Sequence, residues 1–286
     1  MGTIDYAKLF RDKRLDIAIG IGYEFAGEKN NFSNELGDII TVLLGNGFRK
    51  TAKSSTDVYY DTYYLRKRYF LTAKKQLVDI DIYAYLTSSK KKNPSSTFAS
   101  FLATKEIVIY SGHGRIGIGP DFDDEKNSKE NFIIGLNTVA HAKNQLRLQN
   151  SPHDKSLRIK YVKGMKSRKD NDLESITKKN LFREDLYQVW FFNACSSIDY
   201  VDEIRGKWSV KDKMQKFGLV RTGTGKIKSK DNLVVFGTRQ SVRSDAIPIL
   251  KQILAGKSMD DIVKTMQAYE KIFSPENNSN NIYFSD

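Results

Sequence analysis

Four short apolar runs govern what this chain can fold into: Leu15-Asp16-Ile17-Ala18-Ile19-Gly20-Ile21-Gly22, Ile107-Val108-Ile109-Tyr110, Val189-Trp190-Phe191-Phe192 and Leu233-Val234-Val235-Phe236-Gly237. Each is short and rich in β-branched or aromatic residues, so each reads as a buried strand. Helical periodicity falls between and after them. Asn34 to Phe48 carries Leu36, Ile39, Ile40, Leu43 and Leu44 at helical spacing and stops at Gly45-Asn46-Gly47, a plausible C-cap. Asn93-Pro94-Ser95-Ser96 breaks the chain and offers an N-cap for a short helix through Phe98 and Phe101. An amphipathic pair follows the last strand, with Ile247, Ile249, Leu250, Ile253 and Leu254, then Ile262, Val263 and Met266 beyond Gly256 and Asp260. Strands alternating with helices predict an α/β fold, a mostly parallel central sheet sandwiched by helices.

Less of the chain between these elements is decided. The tyrosine-rich basic stretch Tyr59 to Tyr85 ends in Leu77 to Tyr85, either a second strand or a strand-helix junction. Residues 120–185 are largely polar and read as an insertion between two core strands. No linker divides the chain, so residues 1–273 are expected to form one domain, and the Asn- and Ser-rich tail 274–286 to be disordered.

Composition narrows the function classes. A single cysteine among 286 residues excludes an internal disulfide framework, and no His/Cys cluster has zinc-ligand spacing, which fits a reducing, cytoplasmic setting with no metal and no cofactor. No stretch approaches the roughly 18 apolar residues of a membrane span, and the charged N-terminus lacks a signal-peptide core. A net charge of +13 admits nucleic acid, but the basic clusters are scattered as on a solvated surface, so nucleic acid is not the primary expectation. Thr222-Gly223-Thr224-Gly225-Lys226 lacks both the first glycine and the Ser/Thr of a phosphate loop. Asp121-Phe122-Asp123-Asp124-Glu125 offers oxygen ligands for Ca²⁺ without the full EF-hand pattern.

The chemistry gathers at two strand ends. His113 follows the Ile107 to Tyr110 run in Ser111-Gly112-His113-Gly114, and Cys195 follows the Val189 to Phe192 run. Strand C-terminal ends of an open α/β sheet collect ligand and catalytic groups, and an imidazole beside a thiol is the arrangement of a nucleophilic cysteine and its base. The Gly114 and Cys195 N–H groups are candidates to hold a tetrahedral oxyanion, so the reaction type implied is acyl transfer. The blander alternatives are an inert core thiol and an incidental histidine.

Ile109-Tyr110-Ser111-Gly112-His113-Gly114 and Phe191-Phe192-Asn193-Ala194-Cys195-Ser196-Ser197 resemble the two signatures of caspase-like cysteine peptidases, the group of caspases, metacaspases, clostripain, gingipains, separase and CHAT-domain proteases. The resemblance extends to the opening strand and helix, and to Leu254-Ala255-Gly256-Lys257-Ser258 in the helical ending, which looks like that of CHAT and gingipain members. It implies a caspase-like three-layer αβα sandwich and a His113/Cys195 dyad that cleaves polypeptides, with Gly114 lining the oxyanion hole. Asn193 stands where several members that cut after Lys or Arg carry an acidic residue, so a basic P1 side chain loses its counter-charge there. The segment after the Leu233 strand corresponds to a loop of the caspase S1 pocket. There, Arg239 or Arg243 would suit an acidic P1, while Asp245 would suit a basic one. His113 and Cys195 are 82 positions apart, wider than the roughly 50 of caspases, and the surplus lies in 120–185. A protein partner or regulatory ligand acting there, in a bacterial defence or cell-death setting, is the biological expectation. The competing reading is a noncatalytic module of caspase-like or other α/β fold that binds a partner or nucleic acid through its basic surface.

Overall fold

The computed structural model describes residues 2–22, 31–50, 60–71, 74–86, 94–115, 119–122, 183, 185–195, 197–198, 204, 220–221, 227–228, 232–240, 242–273, 275 and 282–285. The four apolar runs form strands β1 (Arg14–Ile21), β5 (Ile107–Ser111), β8 (Gln188–Asn193) and β11 (Leu233–Thr238). The undecided tyrosine-rich stretch becomes two antiparallel strands, β3 (Tyr60–Leu71) and β4 (Lys74–Leu86), and β4 lies parallel to β1. Two-residue strands complete the set: β2 (Arg49–Lys50), β6 (Gly114–Arg115), β7 (Gly119–Pro120), β9 (Val220–Arg221) and β10 (Ile227–Lys228). With β12 (Tyr283–Ser285), the main sheet runs β12-β11-β8-β5-β1-β4-β3-β2. Strands β4, β1, β5, β8 and β11 are parallel, and the antiparallel β12 and β3 flank them. The α/β class and the mostly parallel sheet are therefore as the sequence predicts.

Helices cover both faces because the strand residues alternate. Ile17, Ile19 and Ile21 of β1 pack with Ile39 and Leu43 of α2 (Asn31–Gly45), and with α4 (Ala246–Leu254) and α5 (Met259–Phe273). Ala18, Val108 and Trp190 meet Phe98, Phe101 and Leu102 of α3 (Pro94–Thr104) on the other face. Gly20 permits that approach, since a Cβ there would lie 3.1 Å from the Phe98 ring. A short helix α1 (Tyr6–Leu9) precedes β1.

Local signals set the helix ends. Gly47 has φ 83, the left-handed conformation that closes a helix, with Gly47 N–H on Leu44 O and Phe48 N–H on Leu43 O. Helix α5 starts at a capping box: Ser258 Oγ accepts from Asp261 N and donates to Asp261 Oδ2.

The tail departs from expectation. Residues 283–285 pair with β11, and Ile282 and Tyr283 are buried. Disorder read from the Asn- and Ser-rich stretch misses the apolar Ile282-Tyr283-Phe284 that ends it, which has β11's free edge to cover. Most of the 120–185 insertion and the Thr222 to Lys226 stretch lie outside the described residues. Among the described residues, no helix is long and apolar enough to cross a membrane.

Candidate functional site

The sheet order changes direction beside β5. From β1 the chain proceeds through α2 to strands on one side of β1, whereas from β5 it proceeds to β8 and β11 on the other. The connections diverge between β1 and β5, the usual ligand position in open α/β sheets; here Gly22 N–H bonds Ser111 O, and buried Asp121 and Phe122 pack against that end. His113 leaves β5 at that point.

Register gives Cys195 the equivalent position on the neighbouring strand. Ser111 of β5 pairs with Asn193 of β8, so His113 and Cys195 each lie two residues beyond matched positions on adjacent parallel strands. Neighbouring strands run about 4.8 Å apart. Gly112 N–H extends the ladder to Asn193 O at 3.4 Å. Both His113 and the free thiol Cys195 are half-buried. The thiol donates to Val242 O, 3.7 Å away, in the segment before α4.

Close backbone packing shapes the histidine turn. Gly112 has φ 154, and a Cβ on it would sit 2.8 Å from Gly22 Cα and 2.8 Å from Tyr110 Oη. Tyr110, fully buried, is the hub of the turn. Its hydroxyl lies 2.7 Å from His113 O and 3.0 Å from Asp121 O, which share its one proton, and it accepts from Asp121 N at 2.9 Å. Asp121 N also donates to His113 O, which makes Gly114 and Pro120 the non-hydrogen-bonded pair of the β6–β7 ladder. The Gly114 N–H consequently faces away from that ladder, as an oxyanion donor must.

The cysteine turn is pinned to β11. Ser197 Oγ donates to Phe192 O and accepts from Thr238 N, while Thr238 Oγ1 donates to Ala194 O. Both side chains are fully buried. Ile198 is helical, and Ser196 and residues 199–203 lie outside the described residues.

Segment 242–246 closes the arrangement. Ser244 Oγ donates to Gly112 O, so one segment touches both the histidine turn and the thiol. Buried groups from three elements hold it: Glu270 of α5 accepts from Arg243 N, Glu35 of α2 accepts from Ala246 N, and Asn193 Nδ2 of β8 donates to Asp245 O. Burial pushes the Glu35 carboxyl up to about 8, with the Asp245 and Asp38 carboxylates adding to the rise and the Ala246 hydrogen bond opposing it. The Tyr269 phenol is also raised, by burial and then by its bond to Asp245.

The remaining site candidates divide. Asn193 is fully buried, and its amide holds segment 242–246. Asp245 caps α4 through Ile247 N and accepts from Tyr269 Oη at 2.5 Å, so both carboxylate oxygens are used inside the fold. Arg239 and Arg243 are exposed, their guanidiniums 4.7 Å and 4.8 Å above the Phe284 and Phe273 rings. Asp121 is fully buried, and residues 123–125 of that acidic run lie outside the described residues, among which no group of three potential metal ligands occurs. Sequence reasoning missed Glu35, Ser197, Thr238, Ser244 and Glu270; only the Ser196-Ser197 pair beside Cys195 hinted at any of them.

A separate cavity of about 310 Å³, lined by Lys8, Arg11, Glu106, Arg183 and Asp185 among others, lies at the opposite, amino-terminal end of the strands. No protein-family model matches the chain, and no curated protein or solved structure matches it either.

Proposed function

We propose that the protein is a cysteine endopeptidase of caspase-like type, working in the cytoplasm under the control of a protein partner or regulatory ligand. The observation that carries the reading is the Ser111–Asn193 register, with His113 and Cys195 in equivalent positions beyond it at the carboxyl ends of β5 and β8. In the reaction, the Cys195 thiol passes its proton to the His113 imidazole and Sγ attacks the scissile carbonyl carbon. The carbonyl oxygen, now an oxyanion, is met by the Gly114 and Cys195 N–H groups. Collapse expels the leaving amine with the proton from His113, and water releases the acyl group from sulfur with His113 again as base. The thiol's contact with Val242 O describes the resting state; engagement of substrate requires Sγ to turn toward the imidazole.

Exposed Arg239 and Arg243, stacked on Phe284 and Phe273, would suit an acidic P1 side chain. Peptide-library cleavage by the parent, Cys195→Ala and His113→Ala proteins tests the reading: both variants lose cleavage while keeping the parent's circular dichroism. The alternative is a noncatalytic module, and the Val242 contact favours it, because a thiol with a backbone acceptor is already satisfied. Such a module would cleave nothing and would bind its partner through the basic surface with strong salt dependence.

A further inference from the structure

We propose that Glu35 is a positioning residue for this site, locking segment 242–246 against the histidine turn and the thiol through the Ala246 N–H. The proposal rests on reading this strand edge as the active site. Three observations carry it. The carboxyl is 6% exposed and accepts from Ala246 N at 2.6 Å, from a helix 211 positions away in sequence. Ala246 begins α4 directly after the residues whose Val242 carbonyl and Ser244 hydroxyl contact Cys195 and Gly112. Glu270 repeats the device at Arg243 N, so two buried carboxyl groups hold the two ends of one short segment.

The lock is sensitive to protonation. Glu35 faces the Ser111 hydroxyl of β5, the Asp245 carboxylate that caps α4, Asp38 on its own helix and the Tyr269 phenol of α5. Below about pH 8 it is neutral and tolerated among them. Above that it becomes a buried anion beside Asp245, which favours a looser segment and a freer Cys195.

Because Cys195 is the chain's one cysteine, its iodoacetamide alkylation reads the segment without any assumption about peptide cleavage. At pH 7 the Glu35→Ala protein should alkylate about tenfold faster than the parent, having lost the acceptor for a buried N–H. Glu35→Gln, which keeps an acceptor oxygen, should match the parent at pH 6. Across pH 6 to 9.5 the parent-to-Gln rate ratio cancels the ordinary ionisation of the thiol, and it should start near unity at pH 6, rise severalfold toward pH 8 and level off above. A flat ratio, or a folded Glu35→Ala protein alkylated at the parent rate, overturns the proposal; if the alanine protein does not fold, the ratio alone decides. A parent that cleaves no peptide but shows the rising ratio would sink the peptidase reading and leave the positioning role standing.

Discussion

Single residues at this strand edge are constrained in ways that predict their substitutions. Gly112→Ala combines a φ of 154 with a Cβ 2.8 Å from Gly22 backbone, so it should destabilise the fold by more than about 2 kcal/mol in urea titration. Gly37, in exposed helix α2 with open space around its Cα, should behave oppositely: Gly37→Ala should stabilise by about 0.5–1 kcal/mol. Glu35 has its own pH signature. Its folded pKa of about 8 lies above the unfolded 4.5, so the folded state binds the extra proton between them. Its contribution is full below about pH 4.5, declines as pH rises toward 8, and is flat beyond. Thermal melts of Glu35→Gln should therefore gain on the parent across that window; a constant difference would contradict the assignment.

At the scale of elements, the legibility of the sequence follows from burial. Strands β1, β5, β8 and β11 lie inside the sheet with helices on both faces, so they appear as unbroken apolar runs. Strands β3 and β4 mix tyrosine with lysine and arginine, and their hairpin is not marked by an Asn-Gly or Asp-Gly turn. Strand β12 is three residues after a polar tract, too short for any periodicity to appear. His113 and Cys195 stood out in the sequence because each follows a recognisable strand. Its supports were not: Glu35 meets Ala246, and Ser197 meets Thr238, across separations that leave no local pattern. Tyr110 is an intermediate case, visibly a core residue while its hydroxyl's task is hidden. Tyr110→Phe should cost about 1–3 kcal/mol by removing a buried hydroxyl's bonds to His113 O, Asp121 O and Asp121 N, checked by chemical denaturation.

For the whole molecule, sheet order and register act together. The connections diverge between β1 and β5, parallel pairing of β5 with β8 puts His113 and Cys195 at equivalent positions beyond the two strands, and the segment leading into α4 touches the Gly112 carbonyl and the Cys195 thiol. Function in this account is a property of one sheet edge, and the basic charge elsewhere is a surface available to a partner. The most direct test is peptide-library cleavage by the purified chain, with and without candidate activators, alongside its Cys195→Ala variant. The account predicts cleavage by the parent and a loss of at least about a thousandfold in the folded variant. A Cys195→Ala protein that cleaves as fast as the parent would contradict it.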